Sequence, residues 1–470
     1  MRINGLMIDA SRLLEPHPYY YRLIEFMADW KMNTLLFHFS DDYGCALRLK
    51  GFESLALPHA FTPSELQKLI SFATAHGIEV IPELETFGHT QYITDQPAFR
   101  HLFAGNRTKE LLFNAIDPFS KETHNLMRKL VKAVTTVFPS RYLHLGCDEV
   151  DLKAYCLQKG LEVETVWTGY VNQMIQLAHE AGKTPIIWAD HVSGNPKIAA
   201  KLRKEVVLMD WRYTDDIRDG VLTKLRTAGF KDLMVAPSLA CSQHRFLPTR
   251  RALENTNRMA KFAKRHKALG VINTIWCPWR YLQNTLYYGI AYSAESVRCG
   301  GYPDRTRFNQ RFAQKVFETA LDPALAVFLD AWLGLVLDYD QSQKIARKKT
   351  NFTPDELRRL KAVARLGHEA LLVAPDYLPK TNLEIWNAMV LSAQCVWLCA
   401  EGTLLRLNPS KEAKRKTRYN TLLSQTRLEM DQEWDRTRDP DDPQKYKTRF
   451  PQQEDNYAML LIKSLSRTTN

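Results

Sequence analysis

Residues 142–150 read YLHLGCDEV. A strand-like apolar run stops there at two adjacent carboxylates, Asp148 and Glu149. Seven other short apolar runs share its form: INGLMID (3–9), NTLLFHF (33–39), IEVIPE (78–83), TPIIWA (184–189), VVLMDW (206–211), DLMVAP (232–237) and GVINTIW (270–276). Amphipathic helical patterns lie between most of them. One covers residues 62–77, with a Thr62–Pro63 start and a Gly77 stop. Eight strand–helix repeats within about 300 residues predict an α/β fold, the (β/α)8 TIM barrel. Near-continuous apolar strands suit a parallel sheet covered by helices. An open doubly wound sheet competes, but no Gly-rich phosphate fingerprint follows the first run.

Beyond residue 302 the strand signal stops. ALAVFLDAWLGLVL (324–337), the stretches 355–373 and 382–407, and a segment near 411–437 read as helices, followed by the loop DPDDPQ (439–444). The predicted organisation is a barrel over 1–302 and a C-terminal α-helical region over 303–470 packed on it. Whether that region also forms a homodimer contact is left open.

The 470 residues carry 64 basic and 52 acidic side chains, a net charge of +12. The excess is spread along the chain, whereas a nucleic-acid binder concentrates it in a patch or tail. No nucleic-acid partner is therefore expected. The densest run, KEAKRKTR (411–418), reads as a solvated helix face. No apolar run is expected to reach the length needed to cross a bilayer, and the first residues lack a secretory apolar segment. The eight cysteines occur singly, and Cys395 and Cys399 share one helix face as reduced core residues. The expectation is a cytoplasmic protein with no membrane contact.

A TIM barrel places its active site at the C-terminal strand ends. The runs end in HFSDD (38–42), PELETFGH (82–89), GCDEV (146–150), WADH (188–191), DWRY (210–213) and WCPWRY (276–281). Burying such ionisable groups is costly unless they are paired or used. Adjacent strand residues face opposite ways, so Glu149 joins Asp148 in the barrel mouth only if the strand has ended or bent. Two carboxylates that close repel, and one holds its proton to higher pH, as suits a general acid. The histidines are scattered without metal-ligand spacing, so no metal or cofactor is expected. Tryptophans at strand ends, Trp188, Trp211 and Trp276, suit the apolar face of a sugar ring.

These motifs resemble the family-20 glycoside hydrolases, the β-N-acetylhexosaminidases. His144, Gly146, Asp148 and Glu149 match the family's His-x-Gly-x-Asp-Glu motif. PELETFGH is similar to its Pro-Glu-x-Asp-Thr-Pro-Gly-His, with Glu85 for the Asp and Phe87 for the second Pro. Asn33, Thr34, His38, Asp41 and Asp42 match the second-strand pattern, and Asp9, Ser11 and Arg12 the first. The motifs begin at once, as in short single-barrel members without the N-terminal accessory domain, and EWDRTRDPDD (433–442) is similar to their tail. The resemblance implies an exo-acting enzyme that cleaves terminal β-linked GlcNAc or GalNAc from glycans or glycoconjugates. Its mechanism would be substrate-assisted and retaining, one of the exceptions to the two-carboxylate scheme. Glu149 would be the general acid and base, and Asp148 would hold the acetamido group. His89, Asp41 and His144 would support them from behind, and Trp188, Trp211 and Trp276 would line the sugar site. The positions that read ring hydroxyls depart from the family: Asn4 replaces an Arg and Pro278 a Glu, and no Tyr-x-Asp occurs in PSLACSQHR (237–245). Tyr213 is the candidate stand-in for that Tyr. A glycosidase for non-acetylated sugars and a non-catalytic sugar-binding barrel remain as alternatives.

Overall fold

All eight apolar runs form strands, and together they make the closed parallel barrel expected. They are β1 (Ile3–Asp9), β2 (Thr34–His38), β3 (Glu79–Glu83), β4 (Tyr142–His144), β5 (Thr184–Trp188), β6 (Val207–Trp211), β7 (Leu233–Ala236) and β8 (Gly270–Ile275). Each pairs with the next, and β8 pairs back to β1. The computed structural model describes residues 1–104, 115–241, 248–408, 413–438 and 458–465. The loop 439–444 and part of the 237–245 stretch lie outside the described residues.

Helix starts follow the local chemistry. Thr62 and Glu65 form a capping box ahead of Pro63–Ala75, closing two otherwise orphaned backbone donors. Ser120 caps Lys121–Val137, whose Leu126, Leu130 and Val134 turn inward at helical spacing.

Strand register then decides which side chains meet. Asp9 pairs with His38, His38 with Glu83, and Glu83 with His144. Register partners on neighbouring parallel strands face the same side, so four ionisable residues form one layer across β1 to β4. Trp188 lies two residues beyond Ile186, the partner of His144, and so joins the same side.

The chain divides into two compact units, Met1–Pro237 with Asn257–Thr274, and Ser238–Thr256 with Ile275–Asn470. This division does not fall at residue 302. Tyr288, on helix Leu286–Cys299, packs edge-on against Phe308, Phe312 and Trp332, so that helix groups with those that follow it. In this second unit, helix Leu383–Leu407 corrects one reading of the sequence. It is long and apolar enough to cross a bilayer, but 78% of its most apolar window is buried within the structure, as a core helix requires. Trp386 packs on Phe328 and Tyr377, Cys395 and Cys399 are buried, and none of the eight cysteines forms a disulfide.

Candidate active site

The strand that carries Asp148 and Glu149 ends early. β4 stops at His144, and the backbone then enters the left-handed region at Gly146 (φ 66°), Cys147 (φ 72°) and Glu149 (φ 49°). Three such residues in four positions break the alternation of a strand, so both acids leave on one turn. A side chain at Gly146 has no space: an added Cβ would lie 1.8 Å from Glu85 Oε2. The turn is tied to the end of β5. Glu149 N–H donates to Asp190 Oδ2 at 3.1 Å, and Val150 N–H donates to His191 Nε2 at 3.0 Å.

His89, itself at φ 49°, faces both acids. Its Nε2 is 3.3 Å from Glu149 Oε2 and 3.9 Å from Asp148 Oδ2. Its Nδ1 hydrogen-bonds Asp42 Oδ2 at 3.0 Å, with Asp41 Oδ2 farther off at 3.7 Å. The resemblance grouped Asp41 with His89 behind Glu149, without a contact between the two. The structure gives that direct contact to Asp42, whose other oxygen accepts from Gln91 N–H at 3.1 Å. Asp41 is held by Arg12 at 2.7 Å and by His38 Nε2 at 3.1 Å. Asp9 also accepts from Arg12, at 2.9 Å, so Arg12 ties β1 to the turn after β2.

Beneath these groups lies the polar layer. Glu83 meets His38 Nδ1 at 2.9 Å and His144 Nδ1 at 3.4 Å, and accepts from the Trp188 indole at 2.7 Å. Gly146 N–H donates to His144 Nδ1 at 3.1 Å, which fixes the neutral ring with its proton on Nε2. His144 thus links the layer to the turn.

Burial and charge set the protonation pattern. Burial opposes a proton on His89, but Asp41 and Asp42 outweigh it and hold its pKa well above the ordinary histidine value. Burial likewise opposes ionisation of Asp41, yet Arg12 and His89 keep that carboxyl below the usual range. His144 is pushed down to about 4 by burial. Asp148 is raised well above the ordinary aspartate value by burial, opposed by His89 and reinforced by Asp190 and Glu149. The Asp148 side chain is only 11% exposed, which is why burial leads that shift. Asp148 Oδ1 is also buried without a hydrogen-bond partner, as a group waiting for a donor would be. Glu85, buried against Gly146, is raised by burial and by Asp148.

The aromatic residues separate into different roles. Trp188 has no accessible surface and stacks near His144 with centroids 4.5 Å apart. It props the Glu83 layer and offers no face to a sugar. Trp211 and Tyr213 are half-buried and stack 5.1 Å apart, leaving aromatic surface at the end of β6. Trp276 belongs to the second unit, where it is buried with its backbone N–H on Ala240 O. Ligand atoms of His38, Glu83 and Glu85, of Asp41, Asp42 and His89, and of His89, Asp148 and Glu149 each lie within 4.8 Å. In the last two sets the carboxylates pair with a charged imidazole, which accounts for their closeness without a cation.

Sequence reasoning named Asp148, Glu149, His89 and His144 as site residues, matched Arg12 and Asp42 only as motif positions, weighed Asp190 and His191 only as metal ligands, and assigned Glu83 nothing beyond its place at a strand end. Their signal was present in the polar strand ends, yet only register shows which of them touch.

The model of glycosyl hydrolase family 20, catalytic domain, matches residues 3–269. Among curated relatives, the β-hexosaminidase subunit beta of Felis catus is 27% identical over 256 residues, half of this chain and 46% of its own length. Subunit alpha of Bos taurus is 25% identical, over half of this chain and 47% of its length. The chain thus spans about half the length of the curated relatives it matches. Among solved structures, the exo-β-N-acetylglucosaminidase of Vibrio harveyi in complex with N-acetylglucosamine aligns with a TM-score of 0.54 at 20% identity, covering 66% of this chain and 56% of that one. The β-N-acetylhexosaminidase of Bacteroides fragilis gives 0.54 at 17% identity, covering 67% and 69%. These likenesses are of fold.

Proposed function

Because the chain belongs to glycosyl hydrolase family 20, we propose that it is an exo-acting β-N-acetylhexosaminidase working by substrate-assisted, retaining hydrolysis. The observation that supports this most is the turn after β4. It presents a buried Asp148 with an unpartnered oxygen beside a more exposed Glu149 that faces His89.

In this reading the substrate supplies its own nucleophile, the carbonyl oxygen of the 2-acetamido group. That oxygen attacks C1 as Glu149 donates a proton to the departing glycosidic oxygen. The bond to the leaving group breaks and an oxazolinium ion forms. Asp148 accepts a hydrogen bond from the acetamido N–H and offsets the positive charge that grows there, which draws its own pKa down. Glu149, now a carboxylate, removes a proton from water, which attacks C1 and restores the acetamide. Two inversions leave the anomeric configuration retained. His89, kept protonated by Asp42 and Asp41, steadies the ionised Glu149 between the two steps. Trp211 and Tyr213 offer the aromatic surface for the ring. Asn4 and Pro278 stand where the family's hydroxyl readers would be, so terminal GlcNAc and GalNAc are both candidates. Eight cysteines outside any disulfide support a reducing, cytoplasmic setting.

The test is hydrolysis of aryl β-N-acetylglucosaminide and β-N-acetylgalactosaminide by the wild type and by Glu149→Gln. The variant is expected to lose about 10²–10⁴-fold in kcat/KM on a poor leaving group, the usual worth of a general acid. Undiminished turnover by it would remove the assignment.

A further inference from the structure

We propose that Asp190 and His191 are positioning residues that clamp the turn bearing Glu149. The inference rests on the family-20 reading only for its activity readout.

Two consecutive side chains at the end of β5 accept from two consecutive backbone amides after β4. Asp190 Oδ2 takes Glu149 N–H at 3.1 Å, and His191 Nε2 takes Val150 N–H at 3.0 Å. Between those amides lies a residue held at φ 49°, a left-handed conformation that is unfavourable for an L-residue. Such backbone persists only where its surroundings over-determine it. The general acid's side-chain direction is therefore set from outside its own strand. Trp167, fully buried on helix Val163–Glu180, lies against the His191 ring with centroids 5.1 Å apart and so fixes the imidazole plane.

A backbone amide only donates, so His191 Nε2 must be the acceptor nitrogen, and the neutral ring carries its proton on Nδ1. Without that acceptor Val150 N–H loses its partner in a partly buried turn, and the carboxyl of Glu149 loses its fixed approach to the leaving oxygen.

Two substitutions separate this from a packing role. His191→Gln keeps an oxygen that can accept from Val150 N–H, whereas His191→Leu keeps bulk and removes the acceptor. Hydrogen–deuterium exchange of the peptide spanning 142–150, in substrate-free protein and corrected for intrinsic rate, should rise in His191→Leu and stay near wild type in His191→Gln. On an aryl N-acetylhexosaminide, His191→Leu should lose at least about tenfold in kcat with KM within about twofold, the signature of misplacement, and His191→Gln should restore most of that loss. Unchanged exchange in His191→Leu, or exchange in His191→Gln raised as far as in His191→Leu, overturns the proposal. If the wild type cleaves no such substrate, the functional reading fails, and the exchange data still decide the clamp.

Discussion

Replacing Gly146 with alanine should damage this protein far more than a glycine change usually does. Gly146 sits at φ 66°, and its missing Cβ would lie 1.8 Å from Glu85 Oε2 and 2.3 Å from Glu85 Cδ. The left-handed conformation alone costs a non-glycine residue about 1–2 kcal/mol. The clash adds about 1–3 kcal/mol, the usual cost of forcing atoms into a packed interior, because Glu85 is buried and has nowhere to retreat. The sum is about 2–5 kcal/mol, a fall in melting temperature of roughly 5–15 °C for a unit this size. A control isolates the clash. Gly160 has nearly the same φ, 64°, but an added Cβ there meets nothing within 4 Å. Gly160→Ala should therefore cost only the conformational part, about 1–2 kcal/mol, and leave activity intact. Gly146→Ala should also lose about 10²-fold in kcat/KM, since a shift of about 1 Å in this turn misplaces both acids. Thermal melts and kinetics of the two variants side by side are the assay. If Gly146→Ala matches Gly160→Ala in both, the packing of Glu85 beneath the turn has been misjudged.

Asp148→Asn should lose most activity yet melt higher than wild type at neutral pH. The folded pKa of Asp148 is raised, so the folded state favours its proton; stability from this group is present at acid pH and is lost as pH rises through that value. The melting advantage of the Asn variant should accordingly shrink toward zero as the buffer is made acidic, and an advantage independent of pH would contradict the sign. Asp42→Asn should lower kcat by about tenfold to hundredfold with KM nearly unchanged, whereas Asp41→Asn should cost stability as well, because Arg12 and His38 lose their shared anion. Trp188→Phe should destabilise by about 1–3 kcal/mol, through the lost hydrogen bond to Glu83, with KM unmoved. Trp211→Ala should do the reverse, raising KM about threefold to tenfold with little change in melting.

Much of the barrel was legible because each strand is a near-continuous apolar run, most with polar residues at the end, and a closed parallel sheet gives eight such runs a common interior. The two acids were legible for a similar reason: nothing but chemistry justifies adjacent carboxylates after a buried strand. What could not be read is pairing across strands. HFSDD names two aspartates without saying which one turns toward His89, since β2 stops at His38 and the alternation rule no longer applies at Asp41 and Asp42. WADH places Asp190 and His191 at a strand end, but their partners are backbone amides, which leave no mark in sequence. Trp188 looked like a sugar platform because a tryptophan at a strand end often is one. Its position one register step past the buried layer instead gives its indole to Glu83. The bilayer-length helix Leu383–Leu407 shows the same limit, as composition cannot tell a lipid neighbour from a protein one.

The central claim is that the substrate's acetamido oxygen is the nucleophile while Asp148 steers it. The most direct measurement is kcat/KM for aryl β-glycosides that differ only at C2, bearing acetamido, mono-, di- and trifluoroacetamido, or hydroxyl groups. Each fluorine withdraws electrons from the amide oxygen and weakens its attack on C1. The account predicts a steep fall in rate along the fluorinated series in the wild type, a much flatter fall in Asp148→Asn, and negligible turnover of the hydroxyl compound. Equal rates for acetamido and trifluoroacetamido substrates, or for acetamido and hydroxyl, would contradict it.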